Sequence, residues 1–195
     1  MRLFIALDID DNIRERIERF LDGVREFAPD ARWVHPESLH VTLKFIGEKS
    51  EEAVAEIQHA LSVVQASPME LTFRSYGFFP GAKAARVFWI GIESEPKLAS
   101  LAKSVDEAMI RLGIPGEEHT FSPHLTLARG GSGSGAPKSE KSDHPNLRFT
   151  RLQERLAAMS TPEFGTMAAR EFFLYKSQLS RGGSLYTKIA GFALQ

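Results

Sequence analysis

The sequence predicts an α+β fold in which a few helices pack outside largely antiparallel sheets. Two observations lead there. Strand-like segments outnumber helical ones, and several are separated only by hairpin-length turns, which favours antiparallel neighbours. A strand–helix–strand unit also precedes each of two copies of one tetrapeptide, His40-Val41-Thr42-Leu43 and His124-Leu125-Thr126-Leu127. The chain therefore reads as a crude internal duplication.

The segments follow in order. Residues 2–8 (RLFIALD) are apolar and predict a first strand. Residues 11 to about 27 carry Ile13, Ile17, Phe20, Leu21 and Val24 at helical spacing, with Asp10 or Asp11 placed to cap the helix. Trp33-Val34 predicts a short strand. Residues 38–46 predict the strand bearing the first tetrapeptide, which Gly47 would end. Helical spacing returns over 51–65 through Val54, Ile57, Leu61 and Val64. Residues 69–79 and 86–92 predict a strand pair around a Pro80-Gly81 turn. A third helix is expected over 96–112, the second motif strand over 124–128, a short fourth helix over 147–159, and closing strands over 170–179 and 184–193.

In a strand, side chains at i and i+2 share a face. His and Thr of each tetrapeptide thus face one way, and Val or Leu the other. Two copies offer two imidazoles and two hydroxyls to a common cleft, with apolar anchors behind them.

Composition narrows the function. Hydrophobic residues make up 43% and charged residues 25% of the 195, an ordinary globular balance. The chain is read as one domain, 1–195, of two intimately packed lobes. Fourteen Phe promise an aromatic core, and a net charge of −1 leaves no global basic field for gripping duplex nucleic acid. The absence of Cys removes disulfides, thiolate nucleophiles and cysteine zinc sites. The start, MRLFIALDID, is too short and too soon acidic for a secretory signal, and no apolar run approaches the ~18 residues of a membrane span. A cytoplasmic protein without membrane partners is expected, and a monomer.

Residues 130–145 (GGSGSGAPKSEKSDHP) depart from the rest as a flexible, linker-like insertion directly after the second motif. Two readings stand: an insertion without a role, and a flap that brings Lys138 and Lys141 to phosphates.

The tetrapeptides suit phosphodiester chemistry. Hydrolysis needs a base for the attacking oxygen, an acid for the departing one, and donors to the phosphoryl oxygens. Imidazole, with an unperturbed pKa near 6.5, serves either proton role. Each Thr hydroxyl, roughly 7 Å along the strand from its His, can donate to a non-bridging oxygen. Neither motif places a carboxylate or second His at ligand spacing, so no metal and no other cofactor is expected. The remaining histidines, His35, His59, His119 and His144, read as surface or capping residues.

With these motifs the chain resembles the two-histidine (2H) phosphoesterase superfamily. Within it, the chain is similar to the LigT-like RNA 2',3'-cyclic phosphodiesterases, historically called 2'-5' RNA ligases. The resemblance spans the RLFIALDI start, SLHVTLKFIGE, the FFPG…ARVFWIGI hairpin, FSPHLTLARG and LYKSQLSRGGSLYTKIAGFAL. It implies two lobes with a central groove and pseudo-twofold symmetry, each lobe supplying one motif. It implies hydrolysis of an RNA terminal 2',3'-cyclic phosphate to a 2'-phosphate, with weak reverse 2'-5' ligation. In that scheme His40 is the general acid, His124 the general base, and Thr42, Thr126 and Arg129 hold the phosphate. The implied partners are RNA 3' ends or related nucleotides. Competing readings are a phosphodiesterase for small cyclic phosphates or 2'-5' linkages, and a non-catalytic nucleotide-binding module.

Strand parity adds two expectations. Arg129 points away from His124 unless the strand ends or bulges, whereas Lys44 shares the His40 face. Phe45, Phe78, Phe79 and Tyr186 are candidates to stack a base, although core packing is the reading favoured for each.

Overall fold

A computed structural model describes residues 1–130, 147–180 and 183–195. The insertion expected at 130–145 lies outside the described residues apart from Gly130, as do Lys138, Lys141 and His144.

The chain opens with β1 (Arg2–Leu7), whose Leu3, Ile5 and Leu7 enter the main core while Phe4 and Ala6 face the other way. Helix α1 (Asp11–Asp22) buries Ile13, Ile17 and Leu21, a stripe at i, i+4 and i+8. It stops short of the predicted end. Gly23 takes the C-terminal cap, and Arg25–Phe27 continue only as a 3-10 turn. Strand β2 (Arg32–Trp33) is followed by a 3-10 turn at Pro36–Ser38 and by β3 (Val41–Glu48). Gly47 does not end β3. It sits inside the strand at φ 86°, where the register with β1 slips.

Ser50 caps α2 (Glu51–Ser62) by accepting from the Ala53 amide. Then come β4 (Met69–Phe79), β5 (Val87–Ser94) and α3 (Pro96–Arg111), whose Pro stands at the helix start. Strand β6 (His124–Arg129) carries the second motif, and α4 (Thr150–Ala157) follows a 3-10 turn at Leu147–Phe149. Strand β7 (Glu163–Ala169) is absent from the sequence reading, because its two strand formers, Phe164 and Thr166, flank Gly165, which takes φ 105°. Strands β8 (Glu171–Ser180) and β9 (Gly183–Ala193) close the chain.

The α+β expectation holds. Among the described residues all pairings are antiparallel, in a four-stranded sheet of order β3-β1-β8-β9 and a five-stranded sheet of order β2-β6-β5-β4-β7. Leaving β2 aside, each sheet ends on its motif strand, which lies beside the strand that precedes it through a helix. One contiguous apolar core joins both sheets to the helices. A smaller cluster of Phe4, Ala6 and Tyr175 lies on the opposite face of the first sheet, with Phe173 and Tyr186 packed against it. Among the described residues no helix is long and apolar enough to cross a membrane.

Candidate active site

His40 immediately precedes β3 and His124 begins β6. Both rings are tethered in one way. Nδ1 of His40 lies 2.7 Å from the Ser38 carbonyl, and Nδ1 of His124 lies 2.7 Å from the Ser122 carbonyl. A carbonyl oxygen only accepts, so Nδ1 carries the proton in both rings. Nε2 is then the atom that can exchange a proton with a ligand.

The Leu of each tetrapeptide sits at a β-bulge. In β3, Ala6 stands opposite Thr42 and Ile5 opposite Lys44, so Leu43 is the additional residue. In β6, Trp89 stands opposite Thr126 and Phe88 opposite Ala128, so Leu127 is the additional residue. Two consecutive side chains consequently enter the core at each bulge, Leu43 with Lys44 and Leu127 with Ala128. The following residue returns to the histidine face. That residue is Phe45 in one strand and Arg129 in the other.

Aromatic rings hold both histidines. The Phe4 ring centroid lies 4.8 Å from His40 and Tyr186 stands edge-on at 5.2 Å, while Phe79 stands edge-on to His124 at 5.0 Å. A cavity of about 420 Å³ opens beside His40, lined by Asp8, Arg14, Glu37, Tyr175, Tyr186 and Lys188 among others. Burial pushes Asp8 up, but hydrogen bonds from Lys188 and the Ile9 amide, with the nearby charges of Lys188 and Arg14, outweigh it and hold the carboxyl below its usual range. Burial pushes the Tyr175 hydroxyl well up, and Asp8 adds to the effect.

The histidines are shifted too. Burial pushes His40 down to about 4; the Ser38 carbonyl and Asp8 oppose the shift, and the charges of Arg129 and His124 reinforce it. His124 is lowered by burial and by Arg129 against the pull of the Ser122 carbonyl. One guanidinium thus acts on both imidazoles. Its own pKa is lowered by burial, opposed by Tyr186, and lowered further by the charges of Arg32 and Arg2. The arrangement presents two proton-exchanging nitrogens under the charge of one guanidinium, each with a threonine hydroxyl on its own strand face, which suits an anionic ester.

A family model described as "LigT like Phosphoesterase" matches the chain twice, over residues 7–89 and 90–186, once around each motif. The chain belongs to the LigT-like phosphoesterases. It is similar to the RNA 2',3'-cyclic phosphodiesterase of Archaeoglobus fulgidus, 35% identical over 98% of this chain and 99% of that one. The protein of the same name from Methanothermobacter thermautotrophicus is 29% identical over 100% and 99%. Among solved structures, E. coli LigT complexed with 3'-AMP superposes with a TM-score of 0.76 at 28% identity, covering 99% of this chain and 97% of that chain.

In this LigT-like chain Thr42 and Thr126 lie partly exposed on the faces of their histidines, and Arg129 joins them. Lys44 corrects the parity reading. The bulge turns it inward, where it is 1% exposed and donates to Asp106 and to the Pro115 carbonyl at 2.9 Å. Of the aromatics, Phe78 stacks on core Phe88, Phe79 and Tyr186 border the histidines, and the exposed Phe45 lies against Phe4. His35, His59 and His119 are exposed. Sequence reasoning missed the Phe4, Tyr175 and Trp89 surroundings. It also missed the carbonyl tethers, for which a signal existed: the repeat extends upstream to Ser-x-His-x-Thr-Leu in both copies.

Proposed function

We propose that the protein hydrolyses the 2',3'-cyclic phosphate at an RNA 3' end to a 2'-phosphate, with His40 and His124 as the acid–base pair. Relatives covering nearly the full chain carry the name RNA 2',3'-cyclic phosphodiesterase. The single observation that carries the mechanism is the shared tether, which leaves Nε2 of each imidazole as the proton-exchanging atom.

In the proposed step, Nε2 of His124 takes a proton from water as its oxygen attacks phosphorus opposite the 3'-oxygen. The P–O3' bond breaks, and Nε2–H of His40 protonates the departing oxygen. Cyclic diester and water become a 2'-phosphomonoester and a 3'-hydroxyl. Thr42 and Thr126 donate to the non-bridging oxygens, and Arg129 balances charge that grows in the transition state. His40 must be protonated for this role, yet it is held at about 4. A phosphate anion between the imidazoles opposes the Arg129 field and raises it, so substrate binding and proton uptake are linked. The paired histidines supply both proton transfers, so the reading takes the reaction as metal-independent. Weak 2'-5' ligation is the same step reversed. The reading also takes the protein as a cytoplasmic monomer.

The test is incubation of the purified protein, with chelator present, with an RNA ending in a 2',3'-cyclic phosphate. A 2'-phosphate product is expected, with turnover lost in both His40→Ala and His124→Ala. Full activity in either variant would sink the mechanism, and tight nucleotide binding without turnover would favour a binding module.

A further inference from the structure

Three arginines from both sheets face the histidine groove. In β1, Leu3, Ile5 and Leu7 enter the core, so alternation puts Arg2 on the face of Phe4, whose ring meets both His40 and Tyr186. Arg2 also shares a cross-strand row with Tyr186, through Ser177. Arg32 stands opposite Arg129 in the register of β2 with β6. Its neighbour Trp33 packs edge-on against core Phe88, so Arg32 takes the opposite, groove-side face. Arg129 arrives through the Leu127 bulge. The three are close enough for the charges of Arg2 and Arg32 to act on Arg129.

Neither Arg2 nor Arg129 makes an ion pair with a carboxylate among the described residues. Arg2 and Arg129, brought in by separate strands, repel each other, and an anion is the ligand that relieves that repulsion. A cyclic phosphate carries a single negative charge, and Arg129 with one imidazolium already supplies more than enough positive charge to balance it. Arg2 lies at the opposite end of β1 from the cavity at Asp8, so its charge is not directed at that pocket.

We infer that Arg2 and Arg32 form, beside Arg129, a second phosphate subsite that holds the phosphate next to the reacting one. This rests on the hydrolase reading and extends it from a cyclic ester to a substrate with two phosphates. That second group is either the internucleotide phosphate of an RNA chain or the 5'-phosphate of a single nucleotide.

The test compares kcat/KM for three substrates: a nucleoside 2',3'-cyclic phosphate, the same compound with a 5'-phosphate, and a dinucleotide ending in the cyclic phosphate. The wild type is expected to favour the two-phosphate substrates by about tenfold or more. Preference for the dinucleotide alone identifies the internucleotide linkage, and equal preference for both identifies any adjacent phosphate. Arg2→Gln and Arg32→Gln should each erase most of that preference, and Arg2→Lys should restore part of it. The salt dependence of binding should fall by about one phosphate contact in each Gln variant. Equal losses on all three substrates, or no preference in the wild type, overturn the subsite.

If the wild type turns over none of them, the hydrolase reading fails, but the subsite remains testable. Calorimetric binding of a nucleoside 2'-phosphate with and without a 5'-phosphate should differ by about tenfold, and the difference should vanish in Arg2→Gln. Identical affinities reject the subsite independently of catalysis. Thermal unfolding of each variant separates a folding defect from a lost contact.

Discussion

The indole of Trp89 occupies the space into which Gly77 would project a Cβ. Neighbouring strands β4 and β5 bring the two opposite each other, and the indole in turn lies 5.0 Å from Phe79 and 6.3 Å from His124. Gly77→Ala should therefore move the ring, destabilise the fold by about 1–3 kcal/mol, and lower kcat through the displaced wall of His124. Denaturant unfolding read by tryptophan fluorescence, alongside turnover, checks it. Unchanged stability and turnover would show that the ring has room to move.

Arg129→Ala removes the cation that depresses both imidazoles. Each should then hold its proton to higher pH. The acid limb of the pH–rate profile, set by deprotonation of the base, should move up accordingly. Turnover should fall by about 10²–10³-fold if the guanidinium stabilises transition-state charge. An unshifted acid limb would remove Arg129 from the histidines' electrostatics.

His40 also sets a pH dependence of stability. Held at about 4 in the folded protein against 6.5 for the free imidazole, it binds its proton more readily in the unfolded chain. No penalty exists above that ordinary value. Stability falls as pH drops from about 6.5 toward 4 and levels below it, by on the order of 1–3 kcal/mol. His124, lowered in the same direction, adds to the slope. His40→Gln should flatten part of this decline in denaturant midpoints measured across the window. A decline as steep as that of the wild type would show that His40 is not its source.

Lys44 and Asp106 tie β3 to α3, and only the lysine is deeply buried: the side chains are 1% and 21% exposed. Asp106→Ala leaves the buried ammonium only the Pro115 carbonyl and a Glu117 carboxylate 3.6 Å away, and should cost up to about 3–5 kcal/mol. Lys44→Met leaves a carboxylate that water can reach and should cost less. Chemical denaturation of the two variants tests the order, and a larger loss in Lys44→Met would reverse the argument.

Much of the fold was legible because apolar periodicity reports burial directly. The spacing of Ile13, Ile17 and Leu21 located α1, and the apolar run before the first motif located β1. Where a single residue changes the backbone's course, the reading slipped. Helix α1 passes into a 3-10 turn after Gly23, which apolar spacing does not record, and β7 stayed hidden because Gly165 interrupts its two strand formers, Phe164 and Thr166. The His and Thr faces followed from alternation within each tetrapeptide. Beyond Leu43 and Leu127 alternation reverses, and a bulge leaves no mark in residue hydrophobicity. That reversal misplaced Lys44 and left the direction of Arg129 open.

The two bulges have a consequence for how the groove acquires direction. Each half delivers a histidine with the same tether and a threonine on the same face, so this frame does not distinguish the end where an oxygen arrives from the end where one leaves. The halves diverge at the position after each bulge, an aromatic ring at Phe45 and a permanent charge at Arg129. The polarity of the groove is then a property of a few exchangeable side chains laid over a near-symmetric scaffold, open to inversion without rebuilding either sheet.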